Sequence, residues 1–303
     1  MMAPSIDGAK LTLIFIVTIF VLLGAITTLL RQDIAQTSTV VTAVTPPRQT
    51  EIKKTETPAA ALATTSKKQP AEAITHTEGT FIEVTDGCAA HFQGECLLVR
   101  KGPGKEFPVI SKLRTGVVLK VSSSSVSNDG ITWYKVVFDE WLRYPERLKG
   151  DWYVAADYVR VIHLPVETDY IPTVTPKSLK RIIVDRSQQK LYAYDDDTLF
   201  MTATSSTGLD STPTPRGIFT VYRKTPSRYM QGPLPNLASD QYYDLPGVPW
   251  NLYFTEGGAV IHGAYWHNSF GTPYSHGCVN LLPQEAEKLY LWAEIGMTVT
   301  VRD

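Results

Sequence analysis

Ala259-Val260-Ile261-His262-Gly263-Ala264-Tyr265-Trp266-His267, followed seven residues later by Ser275-His276-Gly277-Cys278-Val279-Asn280, is the stretch on which the reading of this chain turns. Its first four residues read as a short apolar strand that ends at a histidine. Three of the six histidines and one of the three cysteines fall within seventeen residues, 262–278, amid the Gly and Pro turns that hold reactive side chains at loop edges. A cysteine nucleophile acts as thiolate, and a neighbouring imidazole supplies that state by taking the thiol proton. His262, at the strand end, is the candidate base for Cys278. Gly277 allows a sharp turn beside the thiol, so that successive N–H groups point at a developing oxyanion. The residues alone leave two other readings open: structural histidines around a small apolar cysteine, and a zinc site of His262, His267, His276 and Cys278. No His-Glu-x-x-His helix accompanies the zinc reading.

Around this stretch the chain is patterned for strands. Residues 181–185, 190–194 and 217–222 alternate apolar and polar positions, and 297–301 forms a last strand. Residues 283–295 place Ala286, Leu289, Tyr290 and Ala293 at helical spacing, with Gly296 expected to stop the helix. Between 223 and 250 lies a Pro-, Gly- and aromatic-rich segment whose length predicts a functional loop, a lid over the site. A mostly β domain with one short helix results.

The His262-Gly263 pair and Ser275-His276-Gly277-Cys278-Val279-Asn280, with Thr214-Pro215-Arg216-Gly217-Ile218-Phe219, closely resemble the YkuD-type L,D-transpeptidase catalytic domain over about residues 178–303. One departure is the twelve-residue interval between His262 and Ser275, shorter than in many members, which bears on the pocket rim. The resemblance implies a β-sandwich in which Cys278 attacks a peptidoglycan stem tetrapeptide at the bond before its terminal D-Ala. His262 serves as base and then acid, the Gly263 carbonyl orients its ring, and the N–H groups of His276, Gly277 and Cys278 hold the oxyanion. Tyr243, Trp250, Trp266, Ser275, Asn280 and Arg228 are the candidate substrate-binding residues, Arg228 for a stem carboxylate; the alternatives are that the three aromatics cover the sandwich core and that Arg228 is solvated. An acceptor stem would resolve the thioester into a 3-3 cross-link, and water would make the protein an L,D-carboxypeptidase. No metal or organic cofactor is implied. A different Cys-His wall peptidase class places its cysteine before its histidine, the reverse of this chain. A third alternative is a wall-binding tether that has lost catalysis.

Upstream, residues 79–165 show short β-branched and aromatic runs between the turns Lys101-Gly102-Pro103-Gly104, Asn128-Asp129-Gly130 and Lys149-Gly150-Asp151. With Leu97-Leu98-Val99-Arg100 and Gly150-Asp151-Trp152-Tyr153-Val154, they resemble a bacterial SH3-like domain, a small β-barrel that the resemblance associates with wall peptide or with an attached enzyme. Residues 139–149 read as an insertion. Cys88 and Cys96 are expected to pair in an oxidising compartment, leaving Cys278 free; two free thiols are the alternative, and the short Cys-x-x-Cys spacing of metal pairs is missing.

Residues 11–30 are twenty uncharged residues, enough at about 1.5 Å each to cross a hydrocarbon core of roughly 30 Å, and predict a membrane anchor within residues 1–31, with a cleaved signal peptide as the alternative. Residues 32–78, rich in Thr, Ala and Pro, read as a flexible tether before the domains at 79–165 and 176–303. The expected arrangement is therefore a membrane-anchored protein with its catalytic domain outside the cytoplasm, facing the wall. Twenty-nine basic against thirty acidic residues give no field to attract a polyanion, which argues against nucleic acid as partner.

Overall fold

The computed structural model describes residues 77–166, 179–234 and 241–303. The expected membrane segment and nearly all of the expected tether lie outside these residues. Among the described residues no helix is long and apolar enough to cross a membrane.

The N-terminal module builds one seven-stranded sheet from β1 (Thr77–Val84), β2 (Leu97–Arg100), β3 (Val109–Leu113), β4 (Val118–Val126), β5 (Thr132–Val136), β6 (Trp152–Ala155) and β7 (Val159–Val166). Its order is β3-β2-β6-β5-β4-β1-β7, and every pairing is antiparallel. Among the described residues no ladder joins β3 to β7, so the sheet is open where the resemblance led us to expect a closed barrel. Ile82, Val99, Leu113, Leu119 and Val154 alternate inward to make its core, as period-two patterning requires. Cys88 and Cys96 are joined by a disulfide, and Cys278 is the free cysteine.

The C-terminal module is a two-sheet sandwich. One sheet has the order β10-β9-β8-β16-β11, from β8 (Arg181–Asp185), β9 (Lys190–Asp195), β10 (Thr198–Thr204), β11 (Gly217–Thr220) and β16 (Thr298–Arg302). The other runs β12-β13-β14-β15, from β12 (Arg223–Pro233), β13 (Tyr242–Tyr253), β14 (Val260–Gly263) and β15 (Val279–Leu281). Ile182, Val184 and Leu191 of the first sheet pack with Trp250, Leu252, Ile261 and Val279 of the second, while Leu289 comes from α1 (Pro283–Trp292). Burying such side chains contributes about 1.5–3 kcal/mol each.

Two expectations need correction. The described residues among 223–250 are not a loop but most of a long antiparallel hairpin, β12 with β13, in which Arg223 pairs with Tyr253 and Pro233 with Tyr242. Prolines at 226, 233, 246 and 249 mask the alternation; β12, with Pro226 and Pro233, is an edge strand, and β13, with Pro246 and Pro249, meets β14 only at Leu252 and Tyr253, so its proline-bearing part also has one neighbour. Gly296 does not stop the helix, which ends at Trp292 with Ala293 extended and its N–H on the Leu289 carbonyl. Gly296, at φ 91°, instead forms the turn into β16.

The described residues fall in one compact unit. Phe81 and Val118 of the N-terminal module are buried in the sandwich core, and Val248 and Tyr265 of the sandwich are buried in the N-terminal core.

Candidate active site

β14 and β15 are the only parallel pair of their sheet among the described residues, with Ile261 opposite Val279 and His262 opposite Asn280. A parallel pair needs a crossover, and residues 264–278 provide it. Cys278 stands one step before β15, opposite Val260. Period-two alternation puts its side chain on the same face as His262, one strand across and two residues back.

The crossover is pinned at its C-terminal end. The Tyr274 and Ser275 N–H groups donate to Thr207 O at 2.9 and 3.0 Å, and Leu209 N–H to Ser275 O at 2.9 Å. Ser275 Oγ donates to Cys278 O at 2.6 Å and accepts the Gly277 N–H at 3.1 Å. Thr214 Oγ1 donates to the same Cys278 carbonyl at 3.2 Å and accepts Gly208 N–H at 2.9 Å. Gly277 sits at φ 120°, a region that strains any residue with a Cβ. The Gly277 N–H, one of the three expected oxyanion donors, is thus already engaged by Ser275 Oγ.

His262 is 1% exposed. Its Nδ1 lies 3.0 Å from Gly263 O, and since a carbonyl only accepts, Nδ1 carries the proton and Nε2 is left with its lone pair. Burial holds the imidazole down at about 4; the Gly263 bond opposes this, and nearby His267 and Arg228 add to it. Gly263 is required by packing as well, because a Cβ there would lie 2.8 Å from Pro249 Cγ and 3.0 Å from Pro283 Cα. Cys278 is partly exposed, and its Sγ is 3.9 Å from Gly258 O. Burial of the sulfur pushes the thiol up, against the pull of the Val260 main chain and the Arg228 cation. Both shifts favour a neutral imidazole beside a protonated thiol at rest.

The substrate-binding candidates separate by burial. Tyr243 packs near His276, ring centroids 6.2 Å apart, and its hydroxyl is raised by burial with the Cys278 thiol nearby. Trp266 lies over His262 at 5.7 Å. Arg228, in β12, donates to Tyr253 Oη at 3.1 Å and reaches Cys278 and His262 electrostatically. Trp250 is not in a channel wall: at 1% exposure it belongs to the sandwich core, against Tyr290 of α1 at 5.3 Å. Asn280 and Ser275 are also buried, at 2% and 6%, and their side chains are used internally. Asn280 meets His267 Nε2 at 2.9 Å, while His267 Nδ1 accepts Ser269 N–H at 3.1 Å. With both ring nitrogens engaged, His267 is a strut of the crossover. Among the described residues no group of three or more His, Cys, Asp or Glu is placed to hold a metal ion.

Thr214 escaped the sequence reading as a site residue, although it stands in the quoted Thr-Pro-Arg-Gly run; only the fold brings it to Cys278. A cleft of about 800 Å³ opens beside the turn, lined by His276, Gly277, Gly258, Ile218, Phe219 and Glu256.

Comparison with known proteins finds matches over the C-terminal module. Residues 179–301, less than half of the chain, match the sequence model of YkuD, described as the L,D-transpeptidase catalytic domain. No curated protein matches. Among solved structures, an Enterococcus faecium L,D-transpeptidase mutant is 26% identical, covering 41% of this chain and 49% of its own, at a TM-score of 0.37. An L,D-transpeptidase from Mycobacterium smegmatis is 20% identical over 57% of this chain and 91% of its own, at 0.40. L,D-transpeptidase 3 from Mycobacterium tuberculosis is 20% identical over 62% and 92%, at 0.39. The chain thus spans about half the length of the Enterococcus faecium protein.

Proposed function

From residues 179–301 as a match to the YkuD catalytic domain, we propose that this protein is a peptidoglycan L,D-transpeptidase that works through a Cys278 thioester. The observation that supports the reading is the β14–β15 register, which sets Val279, the residue after Cys278, opposite Ile261, the residue before His262, with His262 Nδ1 3.0 Å from Gly263 O.

The chemistry follows from the two protonation states. A protonated thiol and a neutral imidazole require proton transfer on attack: Nε2 takes the thiol proton as sulfur bonds to the carbonyl carbon of stem residue three. The resulting oxyanion is held by the N–H groups of His276 and Cys278. Collapse breaks the C–N bond, His262 returns the proton to the leaving amine, and D-Ala departs with a thioester left on Cys278. An acceptor amine then attacks, gives its proton to His262 and releases the thiol, forming a 3-3 cross-link. Arg228 meets the free carboxylate of the leaving residue, Tyr243 and Trp266 wall the donor, and the open cleft beside Gly277 admits the acceptor. In this reading residues 11–30 anchor the protein, 32–78 tether it, and the N-terminal module, SH3-like in sequence, carries the catalytic domain towards the wall.

A carbapenem-type β-lactam tests the nucleophile. Intact mass should rise by one inhibitor per chain, with the adduct mapped to Cys278 and none formed in Cys278→Ala. An unmodified wild type would remove Cys278 as nucleophile.

A further inference from the structure

The hairpin that carries Arg228 and Tyr243 is held from outside the sandwich. β12 is an edge strand, and an edge exposes a row of N–H and C=O groups that need partners. Residues 139–149, the segment that reads as an insertion in the N-terminal module, run beside it. Glu140 Oε1 accepts the Tyr229 N–H at 2.7 Å. Gln231 Oε1 accepts the Tyr144 N–H at 3.0 Å, and Arg147 Nε donates to Asp244 Oδ2 at 2.9 Å. The ladder is irregular at this place: Arg228 pairs with Val248 and Met230 with Leu245, so that Pro246 and Gly247 together face Tyr229. Gly247 sits at φ 63°, and a Cβ on it would be 2.4 Å from Val118 O of the N-terminal module. The bulge is therefore clasped by the Val118 carbonyl and the Glu140 carboxylate.

Bulges bend a strand and re-aim neighbouring side chains, and they recur beside active sites. Here the neighbouring side chain is Arg228. Tyr229, buried against Phe138 with ring centroids 5.2 Å apart, locks the other face of the strand to the N-terminal module. Glu140 also lies within electrostatic reach of Arg228. We propose that Glu140 is a positioning residue for the donor site: the N-terminal module supplies a carboxylate that fixes the hairpin bulge and keeps Arg228 aimed beside Cys278. This inference rests on the proposed reading of Arg228 as the receptor for the leaving residue's carboxylate.

The test uses the full chain with a disaccharide-tetrapeptide, comparing wild type, Glu140→Ala, Glu140→Gln, Arg228→Ala and the Glu140→Ala/Arg228→Ala pair, with melting temperature as the control for folding. A carboxylate receptor acts through binding, so Glu140→Ala should raise KM about tenfold with kcat within about twofold. Glu140→Gln keeps an oxygen for the Tyr229 N–H and should stay near wild type. The double variant should match Arg228→Ala alone, since both changes remove one interaction. Glu140→Asp, which keeps the charge but shortens its reach, is a second variant with the same expected KM rise. Additive KM effects, or Glu140→Ala indistinguishable from wild type, would overturn the positioning role. Hydrogen exchange at the Tyr229 amide needs no substrate and should be at least tenfold faster in Glu140→Ala; an unchanged rate also sinks the proposal. Wild type that releases no D-Ala but shows this exchange difference would refute the functional reading while leaving the clasp in place.

Discussion

His262 and Cys278 divide the work through their surroundings. An imidazole held at about 4 stays neutral through the physiological range, and a thiol pushed up by burial stays protonated. The pH profile of kcat/KM should therefore keep its acid limb near 4, where His262 gains a proton, and alkylation of Cys278 by iodoacetamide should climb with pH without a low-pH thiolate plateau. A plateau near pH 5 would mean a resting ion pair. The same depressed value links to stability. Below the usual histidine value of about 6.5 the unfolded chain takes up a proton that folded His262 refuses, so stability falls as pH drops from about 6.5 to 4 and levels off below. For His262 the loss is on the order of 3 kcal/mol. Denaturant midpoints measured across that window read it directly. Gly263→Ala should cost about 1–3 kcal/mol and most of the turnover, because its methyl group meets Pro249 and the first residue of α1. At this scale the sequence showed residue types and spacing, which located Cys278, His262 and Gly263. It did not show burial, which turned Asn280, Ser275 and Trp250 from binding candidates into internal supports.

Elements were legible where alternation was clean and hidden where proline interrupted it. β8, β9, β14 and β16 and the apolar face of α1 follow from period, whereas the β12–β13 hairpin looked like a loop because its proline-bearing stretches each pair on one side only and so tolerate residues that a strand paired on both sides excludes. The two tryptophan candidates, Trp250 in β13 and Trp266 in the crossover, make a sharp contrast. Trp250→Ala should destabilise by about 3–5 kcal/mol through a core cavity. Trp266→Ala, over the His262 ring, should lower turnover more than it lowers melting temperature. The reverse ranking would exchange their roles. The Cys88–Cys96 disulfide closes a short loop, so Cys88→Ser/Cys96→Ser should cost about 2.5 kcal/mol by the loop-entropy relation. Thiol titration of the native protein should find one reactive group.

For the molecule as a whole, period and turn chemistry foretold two β modules but not their interlocking. Phe81 and Val118 cross into one core and Val248 and Tyr265 into the other, and no periodicity within either module signals a shared interface. The interlock places the N-terminal module against the hairpin that borders the thiol, so the two modules are expected to melt in one transition by calorimetry. The most direct measurement is chromatography and mass analysis of a disaccharide-tetrapeptide incubated with the wild type and with Cys278→Ala. The account predicts release of D-Ala with a 3-3 cross-linked dimer, both absent in the variant. Tripeptide without dimer would make the protein an L,D-carboxypeptidase, and unchanged substrate with no covalent adduct on Cys278 would contradict the account.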